Sequence, residues 1–260
     1  MPDGVDDEAV GYVKTFSLGP KALFAAESYV HGLFQLYPTV YFHKTTRGAE
    51  KLFTELLCRI ITLARDGQQQ KTGLGKKHPL VQFALNSDSL ECAQNLDDEV
   101  VFGALSQTLQ ASDITVRAFS QRLRERQLYR CLDIRQLILT ELFSGEVDKG
   151  ETSKKIDAIF EELERKAKEW SCVNSKDVPR ILFDKVVRKP YKKISESKGP
   201  VNQILIRTND EWADIREKSD LVKSLEPFKI SRAYFAKDDS GALDFLIKEV
   251  EALKRGSSNA

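Results

Sequence analysis

A long run of apolar residues at helical spacing, between Tyr41 and Gly67, constrains the fold of this chain more than any other feature. The residues that form this apolar stripe are Leu52, Phe53, Leu56, Leu57, Ile60 and Ile61. They recur every third or fourth position, which places them on one side of a helix. A stripe of this width is typical of a helix buried in a core. The sequence therefore predicts a helical fold built around this segment.

Further helices are predicted on both sides of it. The segment KALFAAESYVHGLFQLY forms a helix that begins near Lys21 and is interrupted by Pro38. A helical block over roughly 98–143 starts at an N-cap formed by Asp97 or Asp98 and includes RLRERQLYR as helix. VGYVKTFSL alternates weakly and predicts one short strand, and GQQQKTGLGKKHP predicts an exposed loop.

The pattern changes after a polar segment at 144–153, which is the best candidate for a linker. One long helix, KIDAIFEELERKAKEW, is followed by three runs rich in β-formers, RILFDKVV, NQILIRT and KISRAYF. An amphipathic helix ends the chain, capped by Asp239 or Ser240. The predicted fold is mainly α with a small α+β C-terminal lobe, divided into residues 1–146 and 147–260.

The composition of the chain limits the classes of partner that it is expected to bind. Forty basic and thirty-nine acidic residues leave a net charge of +1, so nothing favours nucleic acid as a bulk partner. No run reaches the ~20 apolar residues that a membrane helix needs, and the first residues lack the apolar core of a signal peptide. The four cysteines form no CxxC pair, which indicates free thiols and a cytoplasmic location.

The segment AAESYVHGLFQLYPTVYFHKTTRGAEKLF carries a resemblance. It resembles the helix pair that follows the metal site in histidine–aspartate (HD) domain phosphohydrolases, the group that includes the dNTP triphosphohydrolases. VYFHKTTRGAE is its most specific part, and LDDEVVFGALSQ, RLRERQLYR and KISRAYF are weaker matches. The resemblance implies an HD-domain-like helical part, strongly over residues 21–60 and loosely beyond.

The resemblance also implies a metal that this chain is not equipped to hold. Family members use a divalent cation such as Mn, Fe, Zn or Mg, bound by a His, a His-Asp pair and a further Asp. The three histidines here are followed by Gly32, Lys44 and Pro79, so there is no His-Asp pair. We expect no catalytic residue, metal ligand or cofactor in this chain. A truncated product, a partner subunit and a degenerate family member all fit.

Tyr41 matches the family tyrosine that packs on the nucleotide sugar, although a tyrosine beside Phe42 equally fits a core position. The phosphate-binding arginine of the family's first helix aligns with Leu33, next to Gly32. Because leucine cannot pair with a phosphate, this departure puts a complete substrate pocket in doubt.

Five basic residues match regulatory nucleotide contacts of allosterically regulated family members: Lys21, His43, Lys44, Arg126 and Arg130. On a helix, Arg126 and Arg130 would present two cations on one side, with Arg122 one turn earlier, which suits a triphosphate. A solvated helix face fits them equally. Arg47 is predicted to share a face with His43 or to form a salt bridge with Glu50.

The leading hypothesis is therefore a C-terminal HD-phosphohydrolase portion that forms a nucleotide-pocket wall and an oligomerisation region without catalysis of its own. A bare chain would expose the stripe along 52–61, so a homo-oligomer or a catalytic HD half is the expected partner, with a dNTP- or GTP-like nucleotide as ligand. A degenerate nucleotide-binding or scaffolding protein is the second hypothesis. A nucleic-acid-associated protein, using Arg122, Arg126, Arg130 and the run 188–193, is a third, disfavoured by the neutral charge.

Overall fold

Helices dominate the computed structural model, which describes residues 16–142, 149–174, 178–189, 191–192, 203–209 and 211–257. The helices in these ranges are α1 Leu23–Leu36, α2 Lys44–Arg65, α3 Pro79–Leu85, α4 Leu90–Gln94, α5 Asp98–Thr108, α6 Ile114–Arg124, α7 Ile134–Leu142, α8 Lys149–Asn174, α9 Ile215–Lys218, α10 Asp220–Ser224 and α11 Ser240–Ser257. The strands are β1 Ser17–Leu18, β2 Arg130–Asp133, β3 Ile181–Arg188, β4 Leu205–Thr208, β5 Glu211–Asp214 and β6 Phe228–Phe235. The predicted class, mainly α with a small α+β part, is confirmed.

The chain divides into two compact units, and each is built from an early and a late segment. Among the described residues, those of the first unit fall within 1–42 and 187–229, and those of the second within 43–186 and 230–260. The strand order β2-β6-β3 joins the two segments of the second unit, because β6 belongs mostly to the late segment and pairs with strands of the early one. The division of the sequence into 1–146 and 147–260 remains a prediction, since its boundary lies outside the described residues.

The first unit packs α1 against α9, α10 and the sheet β1-β4-β5. β1 runs parallel to β4, and β4 runs antiparallel to β5, with Ile206 opposite Ala213. The buried apolar residues between these elements are Ala26, Val30, Ile206, Ile215 and Val222. Of the strand predicted over VGYVKTFSL, Ser17 and Leu18 are strand, and the residues before Phe16 lie outside the described part.

The second unit buries the α2 stripe in its own core. Leu52, Leu56 and Ile60 are almost fully buried, and α2 packs against α3 and α6. Phe53, Leu57 and Ile61 are partly buried at the edges of the same stripe. The expectation that a bare chain would expose this stripe is therefore wrong. Residues 79–124, which form four helices, supply the cover that the sequence had predicted from a catalytic HD half or a second subunit.

Two aspartates cap the helices that cover α2. Asp97 accepts a hydrogen bond from the Val100 amide at the start of α5, at 2.7 Å, which confirms the first of the two predicted caps. Asp113 accepts one from the Val116 amide at the start of α6, at 3.0 Å. The Arg59 guanidinium binds the other oxygen of Asp113 at 2.6 Å. Because burial of Asp113 is outweighed by these bonds, led by that of Arg59, its pKa is lowered from the usual range.

A second core lies between the sheet β2-β6-β3 and the helices α7, α8 and α11. Its fully buried residues include Ile138, Phe160 and Leu246. The predicted linker at 144–153 is wrong for its last residues, because α8 already begins at Lys149. The predicted cap of the last helix is confirmed for Asp239, which accepts a hydrogen bond from the Ala242 amide at 2.9 Å.

The segment 67–79 is more closely packed than an exposed loop. Thr72 and Leu74 are buried, and a 3-10 turn spans Gln69–Thr72. Gly73 has a φ of +78°, and a Cβ there would lie 2.6 Å from the carbonyl oxygen of Gln107. Only glycine fits this approach without strain. Among the described helices, none combines the length and apolar character needed to span a bilayer.

His78 caps α3 as a neutral imidazole. Its Nδ1 accepts a hydrogen bond from the Leu80 amide at 3.2 Å, and Pro79 follows as the first helical residue. Burial lowers the pKa of His78 below its ordinary value. A protonated Nδ1 would be a donor facing another donor, so the cap requires the neutral ring.

We expect the free energy of unfolding to fall as the pH drops below about 6.5, because the unfolded chain then binds a proton that folded His78 resists. The His78→Asn variant keeps a capping oxygen that does not titrate, so it should lose less stability, by up to about 1 kcal/mol, between pH 7.5 and 5. Urea unfolding at the two pH values measures this difference. The control His31→Asn removes an exposed histidine that caps no helix. An equal reduction of the pH-dependent loss of stability in this control would contradict the role of His78.

Candidate functional site

Tyr41 lies at the end of a π-helical turn, Tyr37–Tyr41, that follows α1 because Pro38 cannot continue an α-helix. Its side chain is 52% exposed, so the alternative of a buried core tyrosine is wrong. The Tyr41 and Tyr37 rings are 5.3 Å apart, and the Arg188 guanidinium lies 4.5 Å over the Tyr37 ring. The core position belongs instead to Phe42, which stacks on Phe228 at 5.7 Å. The Tyr41 ring is therefore accessible to solvent on one side and packs against the Tyr37 ring.

Two other candidates of the first unit lie on α1 or just before it. Lys21 is exposed in a 3-10 turn, Pro20–Ala22. Leu33 is half-buried, and a Cβ at Gly32 would meet no other atom within 4 Å. Leu33, which the resemblance aligns with the phosphate-binding arginine, is therefore an apolar side chain beside a glycine that has open space around it.

His43 and Lys44 stand exposed at the start of α2 in the second unit. The His43 backbone is the N-cap, but no side chain caps the helix and its first turn contains no acidic residue. The amide groups of a first helical turn point outwards with a partial positive charge. This end of α2 therefore suits an anion, with the Lys44 ammonium close by.

Arg47 does not share their exposed surface. Its guanidinium donates to both oxygens of Asp184 on β3, with Nε–Oδ2 at 2.9 Å and Nη2–Oδ1 at 2.5 Å. It also binds Glu50 at 2.6 Å, which confirms the predicted salt bridge. The hydrogen bond to Asp184, ahead of the charge effects, raises the pKa of Arg47. Arg47 is thus a structural residue that fixes the first turns of α2.

Asp184 is a residue that sequence reasoning missed. Its side chain is fully buried, with Arg47 and the Lys51 ammonium at 3.6 Å as partners. The signal was present in RILFDKVV, where Asp184 directly follows three apolar residues. A buried carboxylate needs a cation, and only the tertiary structure identifies which one.

Gly48 shows why the motif VYFHKTTRGAE contains a glycine. A Cβ at Gly48 would lie 3.0 Å from Cδ1 of Tyr234, a fully buried residue of β6. The helix therefore lies close against the sheet at this position, where a larger side chain would meet the Tyr234 ring. Burial raises the pKa of the Tyr234 phenol above its usual range.

The predicted arginine stripe on one helix is wrong. α6 ends at Arg124, Arg126 adopts a left-handed backbone with φ of 54°, and Arg130 lies on β2. Arg130 lies 5.2 Å over the Phe235 ring, and Arg122 lies 4.8 Å over the Tyr129 ring. The prediction of one helix through Arg130 failed because the chain leaves the helix after Arg124 and forms β2. This strand pairs with β6, where Cys131 lies opposite Tyr234.

The described residues do not fit the metal that the resemblance implies. No group of three or more His, Cys, Asp or Glu side chains within them is placed to hold an ion. His31 bonds Gln35 on α1 at 3.2 Å, His43 precedes α2, and His78 caps α3. GLGKK offers no phosphate cradle, because Gly73 is packed on the α5 backbone. We derive no metal-dependent step from these residues.

Comparison with known proteins gives a structural likeness only. No family model and no curated protein matches the chain. A solved phosphohydrolase from Bacteroides thetaiotaomicron superposes with a TM-score of 0.53 at 19% identity, over 85% of this chain and 51% of its own. A hypothetical protein from Aquifex aeolicus gives 0.48 at 19% identity, over 90% and 47%. The chain thus shares a fold with a phosphohydrolase and spans about half the length of these structures.

The Asp184→Asn variant tests the role of the buried ion pair. Removing one charge takes from the partly buried Arg47 the partner that accepts two of its hydrogen bonds. We therefore expect a loss of about 2–3 kcal/mol in the free energy of unfolding. The control Glu50→Gln removes the exposed partner and should cost less than about 1 kcal/mol. Urea unfolding followed by circular dichroism measures both, and equal losses would show that Asp184 does not fix α2.

Proposed function

We propose that this chain is the C-terminal, metal-site-lacking portion of an HD-family nucleotide phosphohydrolase. In this proposal it forms a nucleotide-pocket wall and an oligomerisation region, and it does not catalyse hydrolysis alone. Free thiols at Cys58, Cys92 and Cys131 agree with the reducing cytoplasm expected for such a protein.

The main support for this proposal is the structural similarity to the solved phosphohydrolase. Most of this chain superposes on half of a phosphohydrolase. The segment VYFHKTTRGAE adds the resemblance to the helix pair of the HD family. The absence of a metal-ligand group among the described residues explains why we assign a pocket wall and no reaction. The remaining half of the neighbour has no counterpart here, so a catalytic half is the expected complement.

Tyr41 is the residue that we assign to the nucleotide sugar. An exposed ring next to Tyr37 offers a flat apolar face and a hydroxyl group, which suits a ribose. The Arg188 guanidinium lies over the neighbouring Tyr37 ring, 4.5 Å from its centroid. Leu33 supplies no phosphate contact, so the phosphates of a substrate would need cations from the complementary half.

His43 and Lys44 are the residues that we assign to a regulatory triphosphate. They combine an uncapped helix start with an ammonium group, and both features attract anions. Lys21, Arg126 and Arg130 remain in this proposal as exposed cations, without the helical spacing that first suggested a shared surface.

Nucleotide binding by the Lys44→Ala variant tests the regulatory assignment. Loss of one charge-assisted phosphate contact should raise the Kd for dGTP at least about tenfold. Titration calorimetry with magnesium present measures this change. The control Lys77→Ala removes an exposed lysine of the GLGKK segment and should bind like the wild type. No heat from any triphosphate, or equal weakening in both variants, would contradict the assignment.

Hydrolysis assays test the missing catalytic half. With dGTP and manganese, the 260-residue chain should release no phosphate or triphosphate above background, because its described residues offer no cage for the ion. Sequencing the DNA upstream of the Met1 codon should show an in-frame His, His-Asp and Asp pattern, and the extended protein should be active.

Hydrolysis by the short chain that a chelator abolishes would refute the proposal. Triphosphate binding without any upstream metal motif would favour the alternative of a degenerate nucleotide-binding protein.

A further inference from the structure

Arg188 places a positive charge beside the aromatic residues that follow α1. Its guanidinium lies 4.5 Å over the Tyr37 ring, and the Tyr37 ring lies 5.3 Å from the ring of Tyr41. All three residues belong to the first unit. The cation is therefore next to a ring pair whose outer member, Tyr41, is 52% exposed.

A guanidinium above a ring keeps its capacity to bind an anion. Its five N–H groups point outwards in the plane of the group, so the ring below does not use them as donors. Arg180 shows both contacts in the same chain, because it lies 4.3 Å over the Trp170 ring and donates two hydrogen bonds to Asp239. Contact with a ring and binding of a carboxylate or phosphate are thus compatible at one arginine.

Arg188 differs from Arg180 because it has the ring contact without an acidic partner. It is exposed, and it forms no ion pair within the part of the chain that the structure describes. Glu27 and Asp214 of the same unit accept hydrogen bonds from other groups, namely the Ser219 and Tyr191 hydroxyls. An exposed guanidinium that no carboxylate neutralises is suited to bind an anion that comes from outside the chain.

The ring below Arg188 is fixed to the core of its unit. The Tyr37 ring lies 5.6 Å from that of Phe42, and the buried Phe42 stacks on Phe228 at 5.7 Å. The Phe42 amide also donates to the Tyr37 carbonyl at 2.7 Å. The ring that carries the guanidinium therefore has a defined position before a ligand binds, which lowers the conformational entropy that binding costs.

The arrangement combines the two contacts that a nucleoside phosphate needs. The exposed Tyr41 ring offers an apolar face and a hydroxyl group for a sugar, and Arg188 offers paired N–H donors for a phosphate. The phosphate of a nucleotide is attached to its sugar, so a sugar on Tyr41 brings the phosphate into the region beside Tyr37. Leu33, one turn before Tyr37 on α1, contributes no charge there.

We propose that Arg188 binds a phosphate group of the nucleotide whose sugar packs on Tyr41. The inference rests on the proposed function, because it takes the sugar contact of Tyr41 from it and adds the residue of this chain that contacts the phosphate. A triphosphate carries several negative charges. Arg188 therefore adds to the cations of a complementary half and does not replace them.

The Arg188→Gln variant tests this contact with two ligands, dGTP and deoxyguanosine, which share base and sugar and differ in the phosphates. Both are titrated by ligand-observed NMR, which detects weak binding, in the full chain carrying Lys44→Ala to weaken the assigned regulatory contact. Arg188→Gln should raise the Kd of dGTP at least about tenfold, because a charge-assisted bidentate contact is lost. It should leave the Kd of deoxyguanosine unchanged. Circular dichroism confirms that the variant is folded.

Two further variants make the test specific. Lys223→Gln removes an exposed cation of α10 in the same unit and should bind dGTP like the Lys44→Ala parent. Tyr41→Leu removes the ring and should weaken both ligands by the same factor, since both contain the sugar.

Unchanged dGTP binding in Arg188→Gln overturns the inference, and weakening by Tyr41→Leu in the same experiment would still support the sugar contact of the proposed function. Equal weakening of dGTP and deoxyguanosine by Arg188→Gln also overturns it, because Arg188 would then only support the ring. A parent that binds no dGTP contradicts both the inference and the proposed nucleotide site.

Discussion

The buried ion pair between Arg47 and Asp184 determines where the candidate regulatory residues lie. It joins the second turn of α2 to β3, which lies 137 residues further along the chain. A fully buried carboxylate is costly unless it is paired and hydrogen-bonded, and Arg47 meets this requirement with two bonds. Gly48 follows directly and allows α2 to lie against Tyr234. His43 and Lys44 precede this anchored turn, so their positions depend on a contact that neither residue makes.

The two helices of the motif segment differ in what covers them. α2 is covered by helices of its own unit, and its apolar stripe reflects folding rather than association. α1 buries Ala26 and Val30 on one side and leaves Phe24 and Tyr29 exposed on the other. The exposed apolar surface is therefore on the shorter helix, α1. The apolar pattern of the sequence had indicated α2 instead. Exposure after folding, and not hydrophobicity along the chain, identifies interaction surfaces.

The basic residues illustrate how local patterns are overridden by tertiary contacts. Arg47 was expected to lie beside His43, but a buried acid draws it inwards. Arg126 and Arg130 were expected on one helix, but strand pairing with β6 ends the helix at Arg124. In both places the competing partner lies more than 100 residues away in the sequence, where helical spacing carries no information.

The sequence by itself determined the mainly helical class, the extent of α2, the Asp97 and Asp239 caps and the lack of a His-Asp pair. These follow from local chemistry: periodicity, hydrogen bonding to nearby amides and residue identity. Only the tertiary structure decided that the α2 stripe is covered within the chain, that Tyr41 is open and that Asp184 holds Arg47. Burial and long-range pairing depend on which elements meet in space, and the order of residues along one element does not specify that.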